Sequence, residues 1–469
     1  MLGTLFNEVV VKHPENIALS YLEQEISYQS LYERATQLVE SDSFASSSFI
    51  SLPGKRTIDE YVAIAACWIS GKPYVPLNPK FSLSRSQQIL SQLSQISSEK
   101  LNNLAYIIFT SGTTGTPKGV PIHQTQVAQY ALAMRKNINP LCTDVMLQIH
   151  DFSFDYSVME LVMAWTNGAK LIHVPTDKVV MTPRYIQDND VTIWMSVPSL
   201  ASMGHKLGLM PPNSLSTLKV AIFSGEALNY ETVRQFSMAA PNAKLLNLHG
   251  ITEATVTDTY FEVDRSMLVN DTSPNSFYDV IPMGWPHDGI EMGLVNPNSS
   301  ESVNGVGELC IAGKQVTSGY LNNPNLNTKR FFQSDGKHWL RTGDLAEYTD
   351  LYGYCYRGRA DRQIKLKGYR IELQDIESAL RAATKTDLVC VVSYPVLDDG
   401  AIQNLVGVVV KSPFEEFDPI EIKKSLETIL PSYMVPSEIL LIDEMPLSVN
   451  GKIDFKAVQE WVKVHLGPK

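Results

Sequence analysis

Hydrophobic positions along this chain follow different periods in different regions. Near the start, Leu2, Leu5, Phe6, Val9 and Val10 recur at the three- and four-residue spacing of an amphipathic helix. From Leu104 to about Gly358, short and nearly unbroken apolar runs take over at 104–110, 145–149, 169–174 and 220–223, with helical patterns between them. Strands covered on both faces carry such runs, so the alternation predicts an α/β fold of parallel sheets and crossover helices.

After Gly358 the order changes to a helix near 376–383, strands at 388–394 and 405–411, a helix at 419–430 and a strand at 439–442. This is the pattern of a compact α+β unit of roughly a hundred residues, enough for a domain. The expected organisation is therefore a large domain over 1–360 and a small one over 361–469, with Asp361 as a hinge candidate. Two stretches interrupt the pattern. The Ser-rich 41–48 reads as locally loose, whereas 82–99 keeps Ile89, Leu90, Leu93 and Ile96 at helical spacing and reads as a polar surface helix. No internal repeat is visible.

Composition narrows the function classes. The 469 residues are 44% apolar, ordinary for a globular chain with a sizeable core, and the formal net charge of −11 argues against nucleic acid and anionic membranes as partners. Cys67, Cys142, Cys310, Cys355 and Cys390 are scattered and form no CxxC pair, which speaks against a zinc site or a secreted disulfide framework. Asn7, Glu8 and Lys12 break the N-terminal apolar positions, and no later run approaches the ~20 apolar residues of a membrane span. A cytoplasmic protein is expected.

The most informative local feature follows the first buried run. Thr110-Ser111-Gly112-Thr113-Thr114-Gly115-Thr116-Pro117-Lys118-Gly119 packs glycines, hydroxyls and one lysine into ten residues. Backbone N–H groups and hydroxyls of such a loop can cradle phosphate oxygens, with Lys118 as a point charge. Gly112, Gly115 and Lys118 lack Walker A spacing, so a P-loop ATPase loses its main support, and composition alone leaves a plain turn as an equal alternative.

The order of residues in this loop resembles the signature loop of the adenylate-forming superfamily, which contains amino-acid adenylation domains, acyl- and aryl-CoA ligases and luciferases. The resemblance runs along nearly the whole chain. Ile26-Ser-Tyr-Gln-Ser-Leu31, Gly71-Lys-Pro-Tyr-Val-Pro-Leu77, Phe154-Asp-Tyr-Ser-Val158, Gly307-Glu-Leu309 and Gly319-Tyr-Leu321 look like adenylation-domain core motifs in the expected order. So do Arg341-Thr-Gly-Asp344, Gly358-Arg-Ala-Asp-Arg-Gln363, Leu430-Pro-Ser-Tyr-Met-Val-Pro436 and Asn450-Gly-Lys-Ile-Asp454. The resemblance implies a large N-terminal domain and a small mobile C-terminal lid, matching the boundary read from periodicity.

It also implies the chemistry: a substrate carboxylate attacks the α-phosphate of ATP, giving an acyl-adenylate and pyrophosphate. Lys452 resembles the lysine that neutralises charge at the reacting oxygens. Asp344 resembles the aspartate that holds both ribose hydroxyls, with Arg359 nearby. His249-Gly-Ile-Thr-Glu253 corresponds to a motif usually written with Tyr first and Pro third. There Thr252 is expected at the α-phosphate, Glu253 on Mg²⁺, and His249 and Gly250 at the nucleotide, with the His249 ring stacked on adenine. Gly225, Glu226 and Ala227 are likewise placed in the nucleotide site. Asp361 resembles the hinge residue, and Lys365 the lysine brought in for thioester formation. For Lys365, Lys367 and Arg370 a solvated face is the alternative reading.

Asp155 separates amino-acid activators from other members. A carboxylate in an apolar cleft is costly unless it meets a cation, and the α-ammonium of an amino acid is that cation. A helix N-cap or a buried structural acid is the structural alternative. The remaining pocket positions implied are Tyr156, Met159, Ser196, Ile222, Ser224, Leu248, Val256 and Thr257, with Lys452 closing the carboxylate end. Apart from Asp155, only Lys452 among these is charged, so charged substrate side chains are disfavoured. Leu248 and Val256 resemble free-standing proline activators, making L-proline the leading substrate, with valine or another neutral residue as the alternative. The chain ends soon after 450–454, so a separate phosphopantetheine carrier protein is expected as acceptor. An acyl- or aryl-CoA ligase is the competing enzyme, and a binding scaffold the non-enzymatic one.

Overall fold

The computed structural model describes residues 2–110, 117–268, 280–299, 301–386, 388–396, 402–411, 418–447 and 453–467. They fall into two compact units. One gathers 1–79, 96–108 and 119–361, and the other 80–95, 109–118 and 362–469.

The first unit is built around a nine-stranded sheet. Its order is Trp285–Pro286, Thr259–Glu262, Lys244–Asn247, Val220–Phe223, Ile193–Ser196, Val145–Gln148, Lys170–His173, Ile17–Tyr21 and Gln24–Ser27. The six strands from Lys244–Asn247 to Ile17–Tyr21 run parallel, and antiparallel pairs close both edges. The runs at 145–149, 169–174 and 220–223 are thus central strands, and their carboxyl ends share one edge. Behind the sheet, the helix Leu2–Lys12 buries Leu2, Phe6, Val9 and Val10, and Phe6 meets Trp68 edge-on at 6.1 Å. The Tyr28 hydroxyl donates to the carbonyls of Ala164 and Ala169, so this aromatic core leaves no donor unpaired there.

A four-stranded sheet has the order Ile50–Leu52, Tyr74–Pro76, Leu104–Thr110 and Lys118–His123. From residue 290 onward the architecture departs from the parallel expectation. Ile290–Val295, Gly307–Gly313, Lys337–Thr349 and Phe331–Ser334 form an antiparallel sheet, with Gly353–Arg359 paired to Lys337–Thr349. Gly307–Gly313 is buried at six successive positions, so its apolar run looks the same as that of a parallel strand.

In the second unit, Val389–Ser393, Leu405–Val410 and Glu438–Ile442 make a three-stranded sheet with helices Leu373–Thr384, Pro419–Ile429 and Phe455–Leu466. The elements from Leu373 to Ile442 match the α+β pattern read from the sequence to within a few residues at each boundary, and the helix Phe455–Leu466 is additional to it. The Ser/Gln-rich segment is a helix, Leu83–Ser94, started by the Ser82 side chain and buried through Arg85, Ile89 and Leu93. The stretch 41–48 is not loose: Ser41 caps a short helix, Asp42–Ser46, which Phe44 anchors in the core. A lone apolar residue among serines carries too little periodicity to announce such a turn. Among the described residues no helix is long and apolar enough to cross a membrane.

Candidate active site

The carboxyl edge of the parallel sheet gathers most of the expected pocket. Ser196, Ile222 and Leu248 sit at or just past the ends of three neighbouring strands, and the ladder continues through Ser224 N–H to Ser196 O (3.2 Å) and Leu248 N–H to Phe223 O (2.8 Å). Crevices at such edges are where open α/β sheets take ligands. All three residues are buried, as are Tyr156, Met159, Ser224, Val256 and Thr257.

Asp155 reaches the same edge because the segment after Val145–Gln148 leaves the sheet there and turns into the fully buried helix Tyr156–Trp165. It occupies the cap position, yet its carboxylate makes no capping bond, so the capping alternative fails. The side chain is buried in aromatic surroundings. Burial pushes the Tyr106 and Tyr130 phenols upward, and the charge of Asp155 adds to the rise at both. The Tyr106 hydroxyl is itself buried without a hydrogen-bond partner among the described residues, the mark of a site completed by something polar. Glu160 shapes the approach to Asp155. It accepts from Ile149 N–H at 3.1 Å and Gln148 Nε2 at 3.2 Å, and lies 2.7 Å from His150 Nδ1, while His150 packs on Tyr156 at 4.8 Å.

The loop from His249 to Thr257 is tightly wound. Thr252–Ala254 form one 3₁₀ turn, after which Thr255 and Val256 both adopt positive φ, 61° and 74°. For a β-branched residue that backbone is strained and must be held by its surroundings. Gln315 supplies part of the hold: its carbonyl accepts from Thr255 Oγ1 at 2.6 Å, and its side-chain amide donates to Ala254 O and Thr257 O. Thr257 Oγ1 donates to Tyr130 at 3.2 Å and lies 3.1 Å from His287 Nε2. Burial drives His287 down to about 3, so that ring is neutral. Gly250 is required by close approach, because a Cβ there would lie 2.1 Å from Val256 O. Glu253 is buried, and its Oε1 accepts from Tyr320 Oη at 2.6 Å.

Charge is concentrated on the other side of this loop. His249 Nδ1 lies 2.8 Å from Asp258 Oδ1 and its Nε2 lies 3.1 Å from Asp344 Oδ2. The largest influence on this ring is burial, which disfavours the cation. The charge and hydrogen bonds of Asp258 and Asp344 outweigh it and raise the group to about 9. Arg359 Nη1 pairs with the other oxygen of Asp344, and the rest of its guanidinium pairs with Asp361 at 2.6 and 2.9 Å. The expected ribose aspartate and its arginine are thus brought together with His249, which is gripped through both nitrogens.

The other expected residues are placed as follows. Gly225 has φ of 84° and faces Phe154 and Tyr156, Glu226 Oε2 accepts from Ser199 N–H at 2.9 Å, and Ala227 is exposed. In the second unit, Thr110 ends its strand, buried Lys118 lies 3.6 Å from buried Glu372, and Lys365 sits in the hairpin Gln363–Leu366/Tyr369–Glu372. Ser111, Gly112, Thr113, Thr114, Gly115 and Lys452 lie outside the described residues. Asp258, Tyr320 and Glu160 carry no role in the sequence reading. Their partners are 9, 67 and 10 residues away, and no spacing rule connects such pairs.

This architecture and residue set define an adenylate-forming enzyme. Models of the AMP-binding enzyme family match residues 92–321, and of the AMP-binding enzyme C-terminal domain residues 375–452. A D-alanine--D-alanyl carrier protein ligase of Staphylococcus epidermidis is 30% identical, with 98% of this chain and 99% of that protein covered. Tyrocidine synthase 3 of Brevibacillus parabrevis is also 30% identical over 98% of this chain, which spans 8% of that synthase's length. The fold matches that of the Vibrio cholerae adenylation domain AlmE, crystallised with glycyl-adenosine-5'-phosphate, at a TM-score of 0.86 and 24% identity over 98% of this chain and 97% of that one. The chain belongs to the adenylate-forming superfamily, among its amino-acid adenylation enzymes.

Proposed function

We propose that this chain activates an amino acid with ATP as aminoacyl-adenylate, releases pyrophosphate, and transfers the acyl group to the phosphopantetheine thiol of a separate carrier protein. The observation that carries this reading is Asp155, a buried carboxylate whose side chain makes no helix-capping bond, at the ligand edge of the sheet. An α-ammonium is a cation that such a buried carboxylate can receive from an amino acid; a fatty or aryl acid supplies none. The carrier-ligase name of the D-alanine relative supports the second half-reaction.

In this reading Asp344 holds the ribose and Arg359 keeps it in place, while Gly225, Glu226, Ala227, His249 and Gly250 line the nucleotide site. Thr252 faces the α-phosphate, with Thr110 and Lys118 serving the phosphate loop. Lys452 neutralises the reacting oxygens, after which Asp361 hinges the lid and Lys365 serves thioester formation. Glu253 is the residue that would hold Mg²⁺. A single buried carboxylate suits that ion, which keeps waters and takes most of its remaining ligands from phosphates, and when bound it offsets phosphate charge. The residues of this chain orient the carboxylate for in-line attack and exclude water.

L-Proline is the leading substrate because Leu248 and Val256 resemble proline activators, and the burial of Met159, Leu248 and Val256 suits a small or medium apolar side chain. The test is pyrophosphate exchange with all twenty amino acids, D-alanine and cyclopentanecarboxylate. Exchange with proline and none with the amine-free ring is the expected result. Equal turnover of the two would favour an acyl- or aryl-CoA ligase, and turnover of another amino acid alone would replace only the substrate.

A further inference from the structure

Four charged side chains and the hinge residue form one continuous chain in the first unit. It runs from Asp258, beside the strained turn at Val256, through His249 to Asp344, then through Arg359 to Asp361, which Arg330 also approaches at 3.5 Å. Acid and base alternate along it. The side chains of Asp258, Asp344, Arg359 and His249 are 0%, 3%, 7% and 9% exposed, so their pairing takes place away from solvent screening. With His249 protonated, Asp258 and Asp344 face two cations. With it neutral, they face one, and the ring loses one of its two N–H donors. The packing leaves room for this pairing: a Cβ on Gly343 would lie 2.5 Å from Arg359 Nη2 and 2.8 Å from Asp361 Oδ2.

We infer that Asp258 and His249 are positioning residues for the nucleotide, Asp258 holding His249 as an imidazolium whose Nε2–H fixes the carboxylate of Asp344 for the ribose. The inference rests on the reading of Asp344 as the ribose residue. In this chain the ring at position 249 acts through its edge, because both of its nitrogens are engaged by acids. Asp258 thereby sets the charge state of a group it precedes in no motif. The groups facing the imidazole are Asp258 and Asp344, with Arg359 and Tyr356 behind Asp344 and Tyr130 behind Asp258. Loss of the His249 proton therefore removes one of the two N–H donors that hold Asp258 and Asp344, and the nucleotide site loosens while the amino-acid pocket does not.

The experiment follows the KM for ATP and for the amino acid in pyrophosphate exchange from about pH 6.5 to about pH 10, together with the ring NMR signals of His249. In the wild type the ATP KM should stay flat and then rise about tenfold as His249 titrates near pH 9. In Asp258→Asn the rise and the ring titration should both move at least about one pH unit towards neutrality. In His249→Gln the ATP KM should be raised at every pH and show no alkaline rise. That variant decides the matter if Asp258→Asn does not fold. Asp258→Asn and wild-type profiles that superimpose, or an alkaline rise kept by His249→Gln, overturn the inference. Asp344→Ala separates it from its premise: an unchanged ATP KM there removes the ribose reading itself, whereas a raised one with superimposable Asp258→Asn profiles removes only the role of Asp258 and His249.

Discussion

Two regions of the first unit treat buried charge in opposite ways. Around Asp155 the walls are aromatic and aliphatic, and its electrostatic influence falls on tyrosines whose ionisation it opposes. Around Asp344, acids and bases pair with one another at hydrogen-bond distance. Under the proposed function, the acid in the first setting meets a cation brought by the ligand and can select for it. An acid in the second is already compensated, so it can hold a neutral hydroxyl pair without selecting for charge.

Asp155→Ala is the sharpest way to break this contrast. It should cost ~3–5 kcal/mol of amino-acid activation by leaving the substrate ammonium without a counter-charge, and should leave ATP binding nearly unchanged. Equal losses in the KM of both substrates would show that the two regions are not separate. Lys452→Ala should lower exchange about a hundredfold at unchanged nucleotide affinity, because it acts on charge that develops during attack. Near-normal exchange in that variant would remove the lysine from the reaction.

These two residues differ in how well the sequence announced them. Asp155 was legible from a motif, and the structure added what the motif could not: a cap position whose side chain does not cap. Parallel strands at 145–149 and 220–223 were legible because burial on both faces leaves continuous apolar runs. The antiparallel sheet after 290 was not, since Gly307–Gly313 is equally buried and strand direction leaves no trace in composition. His249 was legible as a departure from the family pattern, yet its meaning depended on Asp258, an acid among threonines that becomes informative only when the loop folds it back onto the ring. Tyr320 was visible within Gly319-Tyr-Leu321, but nothing local connects it to Glu253.

Smaller effects sharpen the comparison. Tyr320→Phe removes one hydrogen bond from the buried Glu253 and should weaken exchange by about fivefold, roughly 1 kcal/mol, with the loss appearing in metal-dependent steps. A titration of exchange against Mg²⁺ concentration that is unchanged from the wild type would separate this tyrosine from the carboxylate's task. The least of the four is a stability effect. His249 is raised from its ordinary value to about 9, so its contribution is fully present below about 6.5 and is lost as pH climbs through about 9. The melting temperature of the wild type should therefore fall more steeply over that window than that of His249→Gln. Parallel curves for the two proteins would mean that the ring's proton is not part of what holds the fold.

The positive φ of Val256 has a consequence for changing what this enzyme accepts. Enlarging a binding cavity ordinarily costs stability, because a buried methyl group is deleted and the fold must absorb the void. At position 256 the same deletion also frees the backbone from a conformation that valine disfavours and glycine adopts readily. Val256→Gly therefore sets a cavity loss against a release of strain. Among the proposed wall positions it is the one with a positive φ, which makes it the natural first position to vary in any effort to move this enzyme to a larger amino acid.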